Sequence, residues 1–310
     1  MIYLQMSGRL GNQFFRYAAA RALQIKYYPD EKIVINYQQK VNGDESFYNM
    51  LREFNVTDFI EDNSGMVLAR HTSLSQKIIC APYLIGMKNI KPEQMNQQVE
   101  YEKHWEKLLK KYGVYWFRRG GWKFEKSNQK NKVLSGNFED PVYFNDIREI
   151  LLNEFTPKHE ILDKNIELYN KIVGTNSVCI SVRRGDFESN KTFKNLHSLC
   201  NKEYFTDAID KIKKKVENPV FFMFSDDIQW VRENVNTGCL TFYEDGTDPV
   251  WEKLRLMSAC KHFVISNSTF SWWTQYLSRN ENKIVVSPSR WFNNDYKSPL
   301  IDKNWIRIEV

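Results

Sequence analysis

The sequence predicts an α/β fold in which parallel strands are covered by helices on both faces. From Ser177 onward, short apolar strands such as "SVCISVR" and "VFFMFSD" alternate with segments of helical spacing such as "KEYFTDAIDKIKKKV". The chain also begins with a strand-like "IYLQM", a turn and a helix. Regular alternation of this kind is typical of strand–helix–strand units, whose strands pair in parallel.

The remaining elements follow from the same patterns. After the first helix, "KIVINY" predicts a second strand, and the region from Ser46 to Ser127 is predicted as helices and loops because it lacks clean periodicity. The segment "VYFNDIREILLNEF" predicts a helix that ends before Pro157, since proline disfavours helical angles in the residue that precedes it. The further strands are "KVLSGNF", "CLTFYE", "HFVIS" and "KIVVSP", and the further helices are "PVWEKLRLMSAC" and "FSWWTQYLSRN".

Length and composition indicate a globular protein of one large or two ordinary domains. The chain has 310 residues, of which 42% are hydrophobic and 26% are charged. No stretch approaches the roughly 18–20 apolar residues that a membrane span requires. The N-terminus "MIYLQMSG" lacks the pattern of a signal peptide, so we expect a cytoplasmic protein.

The cysteines, the histidines and the net charge limit which kinds of site and ligand are expected. The five cysteines form no CxxC pair and the five histidines no HExxH motif, so neither a disulfide framework nor a metal site is expected. The net charge of +6 would suit an anionic ligand, an acidic membrane surface or a nucleic acid. A solvated, lysine-rich surface is the simpler alternative, and the charge does not decide between them.

Polar side chains gather directly after the predicted strands of the second half. In parallel sheets, ligands bind beyond the carboxyl ends of the strands, so these side chains predict one binding site. In strand order they are Arg183, Arg184 and Asp186, then Ser225, Asp226 and Asp227, then Glu244, and finally Ser266, Asn267, Ser268 and Thr269.

Three short motifs carry the candidate chemistry. In "SVRRGDF", Arg183 and Arg184 offer planar donor groups that bind phosphate oxygens in pairs, although an ion pair with Asp186 is an alternative. The segment "NSTFSWW" opens a helix whose free N–H groups attract phosphate, or it is simply a helix cap. The two carboxylates of "FSDD" could accept from a guanine edge, cap the next helix or bind Mg²⁺.

Taken together, these segments resemble the α-1,2-fucosyltransferases of glycosyltransferase family 11. The resemblance spans most of the chain and rests on five motifs in the family order. They are "GRLGNQFFRYAAARAL", "GNFEDPVYFNDIREILLNEF", "SVRRGDF", "FSDDIQWV" and "LMSACKHFVISNSTFSWW". Parts of this pattern also occur in α-1,6- and protein O-fucosyltransferases, so the resemblance supports GDP-fucose as donor more strongly than the linkage.

The resemblance implies a GT-B-like fold with two Rossmann-like domains facing each other across a cleft. Residues 1–160 would form the mainly acceptor-binding domain, and residues 161–310 would bind GDP-fucose. It implies an inverting reaction without a metal ion or other cofactor, which weakens the Mg²⁺ interpretation of "FSDD". The N-terminal turn with Arg9, Gly11 and Asn12 would meet the departing diphosphate or the sugar.

The donor-binding residues follow from the same motifs. They are Arg9, Gly11, Asn12, Arg183, Arg184, Asp226, Asp227, Asn267, Ser268, Thr269 and Phe270. Arg183 and Arg184 would neutralise the diphosphate, aided by backbone N–H groups of Ser268 to Phe270. Arg183, Asn12 and Asp186 are the catalytic candidates. Asp186 would be the general base, with Glu244 and Asp245 next, unless Asp186 only orients the arginines.

The chain departs from the family pattern at a few positions. The family usually has histidine where this chain has Ser181, so a donor contact made by that imidazole is missing or replaced. Phe187 stands where tyrosine is common. Thr274 and Gln275 stand where small residues are usual, which affects helix packing rather than chemistry.

The expected activity is transfer of fucose from GDP-fucose to a galactose-containing glycan, at O-2 of a terminal galactose, in bacterial surface polysaccharide synthesis. The expected partners include neither nucleic acid nor an obligate protein, and a peripheral contact at the inner face of the membrane fits the basic charge. Two alternatives stay open: another GDP-sugar transferase such as an α-1,6-type enzyme, and a non-catalytic nucleotide-sugar-binding module.

Overall fold

A computed structural model describes residues 1–37, 48–56, 59–62, 67–185 and 195–310. The chain divides into two compact units, Met1–Thr156 and Pro157–Val310. Each unit is built on its own parallel sheet. The predicted α/β fold with parallel sheets is therefore confirmed, while the acceptor and donor roles assigned to the two halves stay predictions.

The first unit contains a five-stranded parallel sheet with the order β3-β2-β1-β5-β4. Its central strand pairs Ile2 with Ile33 on one side and with Lys132 on the other. The strands are β1 Ile2–Gln5, β2 Ile33–Asn36, β3 Phe59–Glu61, β4 Val114–Tyr115 and β5 Lys132–Leu134. The sequence did not predict β3 and β4, because strands of two or three residues are too short to show a periodicity.

Helices cover this sheet, and the longest follows the first turn. Helix α1 buries Phe14, Ala18 and Ala22 against the sheet, as the helical spacing predicts. Helix α3 begins with a capping box in which Ser73 and Gln76 bond each other's backbone N–H groups. The helices are α1 Leu10–Tyr27, α2 Val67–Arg70, α3 Leu74–Lys88, α4 Met95–Lys111 and α5 Arg148–Glu154.

The long helix predicted over "VYFNDIREILLNEF" is wrong in its first half. Residues Pro141–Tyr143 and Asn145–Ile147 form two 3₁₀ turns, and only Arg148–Glu154 is α-helical. The physical reason is Asp140, whose carboxylate accepts from Val142 N at 2.9 Å and thereby caps a tight turn with Pro141 at its start. The helix does end before Pro157, as the proline predicts.

The second unit contains a six-stranded parallel sheet with the order β11-β10-β9-β6-β7-β8. Counted within the unit, this is the 3-2-1-4-5-6 order of Rossmann folds. The strands are β6 Asn176–Val182, β7 Pro219–Ser225, β8 Thr241–Tyr243, β9 His262–Ile265, β10 Val285–Pro288 and β11 Ile306–Ile308. The final strand was not predicted, since "IRI" has a charged residue at its centre.

The helices of the second unit pack on both faces of its sheet. A cluster of buried aliphatic and aromatic residues fills the space between α7 and the sheet. Phe205, Ile209 and Ile212 of α7 are buried there, whereas Lys211 and Lys214 are exposed. The helices are α6 Ile166–Gly174, α7 Lys202–Lys213, α8 Ile228–Asn234, α9 Val250–Ser258 and α10 Thr269–Leu277. Within the described ranges, none of the helices combines the length and apolarity that crossing a bilayer demands.

Candidate functional site

The strand order of the second unit reverses between β6 and β9. Strands on one side of this point continue towards β8, and those on the other side continue towards β11. In open parallel sheets, ligands bind in the crevice beyond the carboxyl ends of the strands at such a reversal. Arg183 follows β6 and Ser266 follows β9, so two of the predicted motifs meet at this point.

A buried serine joins the two strand ends. Ser266 donates from Oγ to the carbonyl of Ser181 at 2.7 Å, and Oγ accepts from the backbone N–H of Arg183 at 3.1 Å. Ser266 is fully buried, so these hydrogen bonds are shielded from water. They fix the backbone at the point where Arg183 leaves the sheet.

Two arginines and two carboxylates from neighbouring strand ends form what we call the arginine cluster: Arg183, Arg184, Asp226 and Asp227. Arg183 Nη1 lies 2.7 Å from Asp226 Oδ2, and Arg184 Nε lies 3.5 Å from Asp227 Oδ2. The other oxygen of Asp226 accepts from the backbone N–H of Arg184 at 2.9 Å. The predicted motifs "SVRRGDF" and "FSDD" are therefore in direct contact.

Trp230 packs against the arginine cluster, and part of the surface of the cluster stays accessible. The guanidinium of Arg184 lies over the ring of Trp230, 3.9 Å from the ring centre. The side chains of Arg183 and Arg184 keep 24% and 21% of their surface exposed, so their donors can still reach a ligand. Gly185 allows the close approach of Asp226, because a Cβ there would lie 2.6 Å from Asp226 Oδ2.

The structure distinguishes the roles of the two carboxylates of "FSDD". Asp227 is the N-cap of α8 and accepts from Trp230 N at 3.2 Å, while its own N–H donates to Ser225 Oγ at 2.9 Å. The interpretation as a helix cap therefore holds for Asp227. Asp226 instead uses both oxygens on the two arginines.

The segment after β9 also divides into different roles. The amide of Asn267 is buried and donates to the carbonyls of His197 and Trp291, at 2.9 and 3.0 Å. Its side chain therefore anchors two loops. Ser268 is the N-cap residue of α10 and makes no side-chain cap, so the first N–H groups of that helix are not satisfied by its hydroxyl. Ser268, Thr269 and Phe270 are partly exposed.

Ser181 lies behind the arginine cluster, at the position where the family usually has histidine. Its hydroxyl lies 2.6 Å from the hydroxyl of Ser271 on α10, and only 5% of the residue is exposed. The serine pair joins β6 to α10 directly. The hydroxyl of Ser181 is thus used in a packing contact inside the protein, at the position where the family's imidazole is expected.

The predicted N-terminal motif forms a turn at the end of β1 in the first unit. Gly8 has φ +79°, and a Cβ there would lie 2.6 Å from Asn12 Nδ2, so only glycine fits. Arg9 is exposed and is the N-cap residue of α1, Gly11 is buried, and Asn12 is partly exposed beside Gly8. The turn thus presents Arg9 and Asn12 beside the amino end of α1.

Gln13 explains part of this turn in a way that the sequence did not reveal. Its Nε2 donates to the carbonyls of Gly8 and Tyr48, both at 2.9 Å, and its Oε1 accepts from Met50 N at 3.0 Å. Gln13 is 1% exposed, so it is a structural residue that fixes the turn. In the sequence, the only signal of this role was the position of Gln13 on α1, which lies off the face that carries Phe14 and Ala18.

Asp186, the first candidate for the general base, lies outside the described residues. The next candidates are Glu244 and Asp245. Glu244 is buried, with Oε1 at 3.3 Å from Lys253 Nζ. Hydrogen bonds from the hydroxyl and backbone of Thr247, aided by Lys164, lower the pKa of Asp245 to about 2. A carboxylate of such low pKa is a weak proton acceptor, which disfavours Asp245 as the base.

Glu244, Asp245 and Asp248 form the one group of metal-ligating side chains that the described ranges bring together, with ligand atoms within 4.8 Å. Lys164 Nζ lies 2.8 Å from Asp248 Oδ1 and 3.2 Å from Asp245 Oδ2. Lys253 pairs with Glu244. Two ammonium groups thus already compensate these three carboxylates, so a further cation would have to displace them.

Comparison with known proteins identifies the family and the fold. The model of the family described as Glycosyl transferase family 11 matches residues 1–309. The crystal structure of NodZ α-1,6-fucosyltransferase soaked with GDP-fucose has a TM-score of 0.52 at 14% identity, over 89% of this chain and 91% of that chain. At this identity the likeness shows a common fold, which is the GT-B type.

Three relatives extend the comparison. An α-1,2-colitosyltransferase of Escherichia coli is 34% identical over 59% of this chain and 68% of its own length. The O-antigen biosynthesis glycosyltransferase WbnK of Escherichia coli is 28% identical over 99% of this chain and 100% of its own length. Galactoside α-(1,2)-fucosyltransferase 1 of Leontopithecus chrysomelas is 27% identical over 47% of this chain and 43% of its own length.

Proposed function

Because this chain belongs to glycosyltransferase family 11, we propose that it transfers fucose from GDP-fucose to a hydroxyl group of an acceptor glycan. The observation that carries the proposal is the arginine cluster, whose two guanidinium groups lie at the carboxyl ends of β6 and β7, next to the strand reversal between β6 and β9. This is the place where parallel sheets of this order bind nucleotides. The start of α10 follows the adjacent strand end, and its N-cap residue Ser268 makes no side-chain cap to the first N–H groups of the helix.

The charges of the arginine cluster suit a diphosphate. Asp226 balances Arg183 while the site holds no anion, and diphosphate oxygens would compete with Asp226 for the same Nη1 donor. The cation–π contact with Trp230 keeps Arg184 beside Arg183 during that exchange. We therefore assign Arg183 and Arg184 to the diphosphate of the donor.

The reaction that follows is an inverting displacement. The acceptor oxygen forms a bond to the anomeric carbon of fucose as the bond from that carbon to the β-phosphate oxygen breaks, and GDP leaves with the electron pair. Charge builds on the β-phosphate in the transition state, where fixed donors stabilise it most. We assign that role to Arg183 and to the first N–H groups of α10, and we keep Asp186 as the acceptor of the hydroxyl proton.

We propose O-2 of a terminal galactose as the acceptor atom, in a bacterial surface polysaccharide. The names of the relatives support this choice, since they include α-1,2-transferases, a galactoside-specific enzyme and an O-antigen glycosyltransferase. Arg9 and Asn12 stay donor-contact candidates on the turn at the end of β1, with the glycines permitting a close approach of the backbone.

A colitosyl donor is the second candidate, because the 34% identical relative is named a colitosyltransferase. Donor competition separates the two: fucosyl transfer and colitosyl transfer are measured with equal concentrations of the two nucleotide sugars. A kcat/KM that favours the colitosyl donor would overturn the fucose assignment and leave the α-1,2 linkage intact.

The decisive experiment measures GDP release from GDP-fucose with a panel of galactosides, with and without EDTA. We expect release that depends on a galactoside, persists in EDTA and gives an α-1,2 product by NMR. An α-1,6 product would overturn the linkage. Calorimetric binding of GDP-fucose without turnover on any acceptor would favour a non-catalytic binding module, and loss of activity in EDTA would contradict metal independence.

A further inference from the structure

Helix α3, on the first unit, exposes a row of large apolar side chains. Leu74, Ile85 and Ile78 are 74%, 64% and 62% exposed, and Ala81 between them is also exposed. Spacings of three, four and seven residues place these side chains on one face of a helix. We call Leu74, Ile78, Ala81 and Ile85 the apolar stripe. Exposed apolar rows of this kind mark interaction surfaces more often than isolated exposed residues do.

The opposite face of α3 fixes the direction in which the apolar stripe points. Gln76, Cys80, Tyr83 and Met87 are buried on that face. Gln76 Nε2 donates to the carbonyls of Tyr112 and Asn131 at 2.9 and 2.8 Å, and Tyr83 Oη donates to the carbonyl of Trp116 at 2.7 Å. Rotation of the helix would break these buried hydrogen bonds, so the apolar stripe stays at the surface.

The charges beside the apolar stripe select the partner. Lys77 and Lys88 are exposed and lie on the same side of the helix as Ala81, and the fifteen residues of α3 include neither aspartate nor glutamate. The whole chain carries a net charge of +6. An apolar stripe whose charged neighbours on the helix are both lysines complements a lipid surface with an apolar interior and anionic headgroups.

We propose that α3 docks on the surface of a bilayer containing anionic lipid. The helix lies parallel to the membrane, with the apolar stripe at the boundary between headgroups and acyl chains and with Lys77 and Lys88 at the lipid phosphates. Its length of fifteen residues corresponds to about 22 Å of helix, enough for the stripe to enter the boundary at both ends. This surface lies outside the arginine cluster, and the inference does not rest on the identity of the donor.

The test is flotation of the full-length protein with vesicles of phosphatidylcholine and phosphatidylglycerol, and with vesicles of phosphatidylcholine alone. We expect binding to the mixed vesicles that weakens with salt. The double variant Ile78→Glu/Ile85→Glu should bind about tenfold or more weakly, because charges cannot enter the boundary. Leu240→Glu is the matched control, since Leu240 is 62% exposed on the second unit, and it should bind as the wild type does.

A second pair of variants isolates the electrostatic part. Lys77→Gln/Lys88→Gln should weaken binding to mixed vesicles by about fivefold per lysine at low salt. Lys211→Gln/Lys214→Gln removes the same charge from the end of α7 and the residue that follows it, and should change binding by less than about twofold. Circular dichroism and thermal unfolding check that each variant is folded. If Ile78→Glu/Ile85→Glu does not fold, Leu74→Gln/Ile85→Gln replaces it with the same expected direction.

Three results would overturn the proposal. The wild type fails to bind mixed vesicles, the stripe variants bind as the wild type does, or Leu240→Glu loses binding equally. A further contrary result is a self-associated wild type that the stripe variants convert to monomers, with no vesicle binding, because a second copy would then cover the stripe. GDP release assayed on the same samples keeps these outcomes distinct from a failure of the proposed transfer reaction.

Discussion

Each of the two parallel sheets contains one pair of neighbouring strands that are not consecutive in the chain, β1 with β5 and β6 with β9. An arginine lies beside each pair, yet the two arginines are held differently. In the first unit, Arg16 of α1 donates from Nη1 to the carbonyl of Gln5 at 3.1 Å and from Nη2 to Asn137 Oδ1 at 3.2 Å. Gln5 is the last residue of β1, and Asn137 follows the adjacent strand β5. In the second unit, Arg183 pairs with the carboxylate of Asp226 at 2.7 Å.

This difference separates a structural arginine from a binding arginine. Burial lowers the pKa of the Arg16 guanidinium to about 10, and one of its partners is the backbone carbonyl of Gln5. Arg183 keeps 24% of its side-chain surface exposed, and its partner is a carboxylate with which an anion can compete. The same topological location therefore stabilises one sheet and, in our proposal, binds the donor on the other.

The largest effect is expected from Arg183→Ala. Loss of a preorganised donor to the developing charge should lower kcat on the order of 10²–10³-fold, with little change in the unfolding midpoint. Arg183→Lys should recover part of the activity, because it restores the charge without the planar donor pair. Steady-state kinetics of GDP release check both variants. If Arg183→Ala lowered the unfolding midpoint as well as kcat, Arg183 would be a structural residue like Arg16.

Arg16→Met should show the opposite profile. It leaves the carbonyl of Gln5 without this donor and removes a positive charge that favours the ionised form of Glu139, so we expect a loss of about 3 kcal/mol of unfolding free energy. Urea denaturation measures the loss. Arg148→Met is the control and should cost below about 1 kcal/mol, because the 3.2 Å contact of Arg148 with Glu149 is an exposed ion pair. Unchanged stability of Arg16→Met would remove the contrast between the two units.

Gly8→Ala should cost about 1–2 kcal/mol, because the left-handed φ of +79° strains any side chain and the new Cβ would collide with Asn12. Two controls divide the effect. Gly246→Ala has a φ of +87° but meets nothing within 4 Å, so it reports backbone strain alone. Gly174→Ala has neither feature. Equal costs at positions 8 and 246 would show that Asn12 adds nothing.

The smallest effect concerns Glu61, which supports the Asn49 and Gln13 side of the N-terminal turn. Burial raises the pKa of Glu61, but hydrogen bonds from Arg52 and Asn49 outweigh it and leave the pKa below its ordinary value. The carboxylate thus stabilises the folded state above the ordinary pKa, and this contribution is lost as the pH falls through the lowered value. Glu61→Gln should therefore cost about 1 kcal/mol or less near pH 7.

The pH dependence provides the check on that variant. Unfolding free energies of the wild type and of Glu61→Gln should converge as the pH falls through the lowered pKa of Glu61, because both side chains are then neutral. Urea titrations at neutral and acidic pH measure the difference. A constant difference at both pH values would mean that the amide's geometry, rather than the lost charge, is responsible.

The sequence by itself determined the strands β6 to β10 and the helices between them, because each of these strands lies in a largely apolar run long enough to show its pattern. It also determined that polar residues follow those strands, which is why Arg183, Asp226 and Ser266 were found. Short elements escaped: β3, β4 and β11 have three residues or fewer, and Asp140 converted part of a predicted helix into tight turns.

Only the tertiary structure decided what each polar residue does. Asn267 and Asp227 belong to the predicted motifs, yet one joins two loops and the other caps α8, because their partners come from segments distant in the sequence or from the next helical turn. Gln13 and Arg16 became structural residues by the same long-range contacts. The apolar stripe of α3 was equally hidden, since periodicity places residues on helix faces and only packing decides which face is covered.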